Sequence, residues 1–142
     1  MSRRALVGRI LITLVALQTA AGSLVFDWND SHVFNDHWSP HARFHGAMCV
    51  FLGLGMALLS LWYTWRRAGD ERTNLQAGAW FASLIYLSFY PASFVPGAGP
   101  SDPDHPVPLV FGAISPQAIE GAISIGVAVT GYLLAGARPR SA

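Results

Sequence analysis

Residues Asp30–His45 read DSHVFNDHWSPHARFH and form the most polar stretch of an otherwise apolar chain. Four of the five histidines lie within it, together with two aspartates, one asparagine and one arginine. Apolar segments flank the stretch on both sides, and a helix that crosses a bilayer needs about 20 mostly apolar residues. The stretch therefore predicts a polar loop, and the start of a helix, between two membrane-spanning segments.

The composition of the whole chain is typical of a membrane protein. Hydrophobic residues make up 52% of the 142 residues and charged residues 12%, against about 25% charged residues in soluble domains. The basic residues are nine arginines and the net charge is +1, which argues against nucleic-acid binding. One cysteine, Cys49, excludes both an intrachain disulfide and a cysteine-based zinc site.

Four apolar stretches predict an all-α fold, an integral membrane four-helix bundle that forms a single domain over residues 1–142. The expected helices cover residues 5–26, 40–66, 74–94 and 111–137. Ser39-Pro40 marks the start of the second helix, because serine is a favoured N-cap and proline fits the first helical position. The first stretch could instead be a cleaved signal peptide, since arginines precede it and small residues end it.

The distribution of arginines predicts how the bundle is oriented. Arginines occur at the N-terminus, in the short connection after the second helix and at the C-terminus, whereas the two long loops have none apart from Arg43. Positive residues in short connections mark the cytoplasmic side. We therefore expect both termini in the cytoplasm, two long non-cytoplasmic loops, and a multi-pass protein of the bacterial inner (plasma) membrane.

This topology would collect the chemically versatile side chains on one side of the membrane. His41 and His45 are four residues apart and share a helix face, which Met48 and Leu52 would continue into the bundle. An ionisable residue inside a membrane, such as Glu120, is costly and is a candidate functional residue. Residues expected to exchange protons are His41, His45, Glu120 and His32. Residues expected to bind and orient the substrate are Asn35, Arg43, Trp38, Gln117 and Asp102.

A proton-transfer site at the mouth of a bilayer suits a lipophilic substrate with one polar end. We therefore expect a small membrane enzyme of the isomerase or lyase type, acting by double-bond migration, hydration, dehydration or cyclisation. No cofactor is indicated, although His41, His45 and His32 could instead ligate a metal ion.

Two further interpretations remain open. In a non-enzymatic subunit the His- and Trp-rich loop would dock a partner, and Glu120 would only fasten the bundle by pairing with Arg43 or a histidine. A stripe of small residues in the fourth helix would allow another helix to approach closely, within the bundle or in a homo- or hetero-oligomer. The stripe consists of Ala118, Ala122, Gly126 and Thr130.

The sequence from His32 to His45 resembles the first-loop motif HxxNxxWxPHxxFH of an uncharacterised family of small four-helix membrane proteins in bacteria and fungi. The matching positions, with the neighbouring arginine, are His32, Asn35, Trp38, Pro40, His41, Arg43, Phe44 and His45. His37 and Ser39 depart from the pattern, which often has a basic residue and a proline there, and this argues against a metal site that uses His37. The resemblance implies a four-helix layout and no reaction. The architecture is also similar to that of sterol-isomerase-like membrane proteins, an analogy of fold alone.

Overall fold

The computed structural model describes residues 1–136, and within that range it contains four α-helices and no strand. The helices are α1 (Arg3–Gly22, continued by a π-helical turn at Ser23–Asp27), α2 (Pro40–Trp65), α3 (Glu71–Ala92) and α4 (Pro116–Ala135). The all-helical fold class is the one expected from the sequence. The expected end of the fourth helix at residue 137 and the arginines at 138 and 140 lie outside the described residues.

Capping side chains set the starts of α2 and α3. The Ser39 hydroxyl accepts a hydrogen bond from the Ala42 backbone N–H at 3.2 Å, with Pro40 at the first helical position. The Asp70 carboxylate accepts one from the Thr73 backbone N–H at 2.7 Å. Because Asp70 supplies this cap, α3 begins at Glu71, earlier than the expected residue 74.

The fourth helix begins at Pro116, later than the expected residue 111. Phe111 and Gly112 have φ angles of +51° and +70°, which a right-handed helix does not allow. A tight turn, in which Val110 and Ile114 exchange backbone hydrogen bonds of 2.8 and 3.1 Å, occupies this segment instead. Ser115-Pro116 repeats the serine–proline start signal of α2, so a signal for the correct boundary was present in the sequence.

Each helix of the bundle packs against its neighbours in the chain, and α1 also packs against α3 and α4. Within residues 1–136, α2 and α4 do not contact each other, since they lie diagonally across the bundle. The expected site residues His41 and His45, on α2, therefore do not lie beside Glu120 on α4. The start of α4 faces α1 and α3 instead.

Small residues allow the helices to pack closely. A Cβ atom added to Gly8 would overlap the Gly131 carbonyl oxygen, which places the α1 and α4 backbones in direct contact. Between α2 and α3 the Ser60 hydroxyl donates to the Gly78 carbonyl at 2.8 Å. The buried core contains Ile12, Val15, Ala16, Leu75, Ala79, Ala82, Ala128 and Ala135. Such a core, poor in large side chains, is typical of helices that associate inside a membrane.

Three helical segments are long and apolar enough to cross a membrane: Arg3–Asp27, Pro40–Trp65 and Pro116–Ala135. The fourth, α3, is 22 residues long but is not among them, because glutamine, serine, tyrosine and proline residues interrupt its apolar sequence. The small-residue stripe on α4 does not form the bundle interior. Ala122, Gly126 and Thr130 are exposed, whereas the neighbouring Gly121, Ser124 and Ala128 are buried.

Candidate functional site

A cavity of about 610 Å³ lies at the end of the bundle where the two long loops meet. Its apolar wall includes Phe26, Ile85 and Phe89, from the π-helical turn and α3. Its polar lining comes from five different parts of the chain and includes Asp27, His32, Tyr86, Asp102, His105 and Glu120. The cavity volume is in the range of known small-molecule sites. Because the cavity also has an apolar wall and a few converging polar groups, it is a candidate binding site.

A chain of hydrogen bonds before α2 fixes the proton on His32. The Asn29 side-chain amide donates to the Val25 and Phe26 carbonyls at 2.8 and 3.0 Å, so its oxygen must face Ser31. The Ser31 hydroxyl donates to that oxygen at 2.6 Å and also lies 2.8 Å from His32 Nδ1. Since the only hydroxyl proton is used on Asn29, the hydroxyl accepts from His32, and Nδ1 carries the hydrogen.

This tautomer leaves the lone pair of neutral His32 on Nε2. Nε2 lies 3.9 Å from Asp27 Oδ1, on the opposite edge of the ring from Ser31. A proton taken up at Nε2 would therefore meet a carboxylate that stabilises the imidazolium. The arrangement is that of a general base with an oriented ring and a nearby counter-charge.

Glu120, in the first turns of α4, is held by the adjacent helix α1. Its Oε1 accepts a hydrogen bond of 2.9 Å from the Gln18 amide of α1, and the same amide donates to Ser124 at 3.2 Å. The carboxylate thus has a neutral amide partner, and neither Arg43 nor a histidine forms an ion pair with it in the described chain. Glu120 lines the cavity, so its carboxylate would contact a molecule bound there.

The two long loops are joined by side chains at the rim of the cavity. The Trp38 indole N–H donates to Asp102 Oδ2 at 2.7 Å, and the Trp38 ring packs edge-to-face against His32 at 5.5 Å. This hydrogen bond lowers the pKa of Asp102 below the ordinary value of 3.8. A second contact joins His37 Nδ1 to Asp104 Oδ2 at 2.7 Å. Trp38 therefore braces His32 and ties the loops together.

Gln117 is also part of the cavity lining. Its amide nitrogen donates to the Pro100 carbonyl at 3.1 Å, which attaches the second loop to α4, and its oxygen accepts from Ser115. Of the expected site residues, the structure gathers His32, Asp102, Gln117 and Glu120 around one cavity, with Trp38 behind His32.

The structure does not bring His41 and His45 to this cavity. The two imidazoles contact each other, with their Nε2 atoms 3.1 Å apart, but both side chains are exposed on the outside of α2. Met48 and Leu52 continue the same face outward, 41% and 55% exposed, so the expectation that this face points inward is wrong. The helical spacing placed the pair on one face correctly but could not show which face the bundle covers.

Asn35 and Arg43 also lie away from the cavity and support the fold of the first loop. Asn35 is 2% exposed, and its side-chain oxygen accepts the His37 backbone N–H at 2.8 Å. Arg43 pairs with Asp36 at 3.1 Å. Both residues therefore shape the loop that carries His32, and their expected contact with substrate has no support in their positions.

The metal interpretation required His41, His45 and His32 to converge. In the part of the chain that the structure describes, no group of three or more histidine, cysteine, aspartate or glutamate side chains lies close enough to hold a metal ion. The pair His41–His45 lies on the outer face of α2, whereas His32 lines the cavity.

Several residues of the site were not predicted from the sequence. Asp27, Asn29 and Ser31 precede the histidine-rich motif, and their pattern is that of an Asx turn, in which an asparagine oxygen accepts from the residue two positions later. His105 lies in a proline-rich loop with no periodicity. Tyr86 has no polar neighbour in the sequence, so only the packing of α3 against α4 reveals it.

The chain is all-helical, and three of its helical segments have the length and composition of membrane spans. These features place it in the class of helical membrane proteins. The model of a family of unknown function, DUF6640, matches residues 11–142, and the chain belongs to that family. No curated protein and no solved structure matches the chain.

Proposed function

We propose that the protein is a small membrane enzyme that carries out acid–base chemistry on a lipophilic molecule. We infer four membrane spans with both termini in the cytoplasm. The cavity would then lie at the non-cytoplasmic face of a bacterial inner membrane. The observation that carries the proposal is the 610 Å³ cavity, in which an imidazole and a carboxylate share an apolar chamber.

The cavity suits a molecule with a hydrocarbon body and one polar end. Phe26, Ile85 and Phe89 would contact the body, and the loop residues Asp102 and His105 would meet the polar end. Trp28 and Phe34 stack edge-to-face at 5.4 Å and are exposed near the same end. Aromatic side chains favour the membrane interface, so this end would sit where a membrane-dissolved molecule presents its polar group.

The proposed chemistry moves a proton between two positions of the substrate. His32 Nε2 would remove a proton, and the resulting imidazolium would be stabilised by Asp27. Glu120, in its protonated form, would supply a proton elsewhere on the same molecule, so that no net charge or electron is transferred. Double-bond migration and dehydration both need such a pair, and each positioned group contributes about 10²–10⁴-fold in rate.

A matched pair of histidine variants tests the assignment. His32→Gln and His41→Gln make the same chemical change, but only His32 lines the cavity. The molecule that copurifies with the wild type, extracted and identified by mass spectrometry, serves as the candidate substrate. We expect His32→Gln to bind it without converting it and His41→Gln to behave as the wild type.

A second candidate function follows from the exposed His41–His45 pair beside Phe44, which is 60% exposed. Two imidazoles at 3.1 Å beside an aromatic side chain would suit a partner subunit that completes a metal site between the chains. Under this alternative His41→Gln abolishes function and removes bound metal, whereas His32→Gln changes neither. The same two variants therefore decide between the candidates.

A further inference from the structure

The opposite end of the bundle contains a second cavity, of about 540 Å³. Its lining consists of Met1, Arg9, Trp65, Arg66, Arg67 and Glu71. The start of α1, the end of α2 and the start of α3 meet here, and Arg72 of α3 reaches Tyr132 of α4 at 3.2 Å. Three guanidinium groups and one carboxylate line the cavity, so its charge is positive.

Arg9 provides a buried charge in this lining. Its guanidinium donates to the Thr64 carbonyl and to Glu71 Oε1, the latter at 2.5 Å, and lies 6.0 Å from the Trp65 ring centre. The residue is only 8% exposed, yet its Nε has no hydrogen-bond partner among residues 1–136. A buried donor without a partner is costly. This Nε is closed off from the cavity as well, so Arg9 contributes positive charge to the lining rather than a free donor.

Arg66 and Arg67 provide the accessible charge. Both are exposed, and neither forms an ion pair with any residue that the structure describes. Glu71 is already bound by Arg9, so it does not neutralise them. Guanidinium groups bind phosphate through paired, planar hydrogen bonds, and this is the anion that an arginine cluster recognises best.

We propose that this cavity binds a phosphate-class anion, either the headgroup of an anionic phospholipid or free phosphate. Arg66 and Arg67 would contact the phosphate, and Arg9 would add its positive charge at the floor of the site. Trp65 is 43% exposed beside Arg9, at the end of α2, where acyl chains and headgroups of a bilayer meet. Basic pockets between helices at the cytoplasmic surface are suited to lipid headgroups. The proposal is independent of the chemistry proposed for the other cavity.

The test compares two double variants of the full-length chain. Arg66→Gln/Arg67→Gln and Arg3→Gln/Arg4→Gln each remove two positive charges from the same end of the molecule, but only the first pair lines the cavity. Arg67→Gln alone serves if the first double variant does not fold. Delipidated protein in detergent is titrated with dioleoyl phosphatidylglycerol and with the zwitterionic phosphatidylcholine, and bound lipid is counted by native mass spectrometry. Melting curves in inorganic phosphate and in chloride of equal ionic strength test the free anion.

We expect phosphatidylglycerol to bind about tenfold more tightly than phosphatidylcholine, and the cavity variant to lose that preference. The surface variant should change it by less than about threefold, because its charges are solvated. If inorganic phosphate stabilises the protein and neither lipid is preferred, the site binds an anion and its ligand is free phosphate. Equal losses in both double variants, or no response to either anion, would overturn the proposal.

Discussion

The cavity between the π-helical turn, α3 and α4 can be filled by one substitution, Gly22→Phe. Gly22 lines the cavity, and a Cβ atom added there meets only Phe26 Cδ2, at 3.8 Å. This is ordinary van der Waals contact, so the helix accepts the side chain and the phenyl ring extends into the cavity beside Phe26 and Phe89. A ligand would have to share the cavity with that ring.

The expected changes in melting temperature and in ligand occupancy follow from two effects of the phenyl ring. Burying it contributes about 1.5–3 kcal/mol, and replacing a helical glycine contributes about 0.5 kcal/mol more. At roughly 2–4 °C per kcal/mol for a chain of this size, the melting temperature should rise by about 5 °C or more. The same ring should lower occupancy by the native ligand at least about tenfold, since about 1.4 kcal/mol suffices for that factor.

The assay combines a melting curve in detergent with mass spectrometry of the molecules that copurify. Gly126→Phe is the matched control, because a Cβ atom at Gly126 meets nothing within 4 Å on the exposed face of α4. The control should retain the ligand and melt within about 2 °C of the parent, since it buries no new surface. A Gly22→Phe protein that keeps full occupancy or turnover would refute the cavity as the binding site.

Three further predictions concern the groups around the cavity and the orientation of the chain. Glu120→Gln should retain the Gln18 contact and fold normally but lose at least about 10²-fold in turnover. Glu71→Gln, the same change at the other end of the bundle, should leave turnover unaffected. A fully active Glu120→Gln would exclude proton transfer by this residue. The folded-state pKa of Asp102 lies below 3.8, so the Trp38–Asp102 contact should stabilise the loops above that pH and be lost as the pH falls through the lowered pKa. The indole N–H resonance of Trp38, followed from pH 6 to pH 2, should report this loss. A resonance that stays unchanged throughout would contradict the loop contact. Reporters fused after the last residue and inserted within 97–101 should lie on opposite sides of the membrane, and finding both on one side would end the four-span topology.

The sequence was sufficient for the all-helical fold because apolar length and serine–proline caps are local signals. Ser39-Pro40 marked the start of α2, and Ser115-Pro116 carried an equally good signal for α4 that the apolar residues before it obscured. Glu120 was found as an ionisable residue in an apolar helix. Such features depend on neighbours in the chain, so they can be identified without knowing how the helices pack.

The arrangement of the site depended on contacts that the sequence does not encode locally. His41 and His45 were predicted as site residues because they lie one turn apart on a helix, yet their face of α2 is exposed. Glu120 lines the cavity because α4 packs against α1 and α3, which brings Glu120 and Gln18 together across 102 residues of chain. Whether a polar helix face points inward depends on the packing of all four helices, and here small residues such as Gly8 and Gly131 determine that packing.

A cryo-EM or crystal structure of the full-length chain, purified in native membrane lipid, would show directly whether the cavity binds a lipophilic molecule. We expect density for a lipophilic molecule in the cavity beside Phe26 and Phe89, with a polar atom within about 3.2 Å of His32 Nε2 or Glu120. A cavity that holds only water, with the bound molecule or a metal ion instead at His41 and His45, would contradict it.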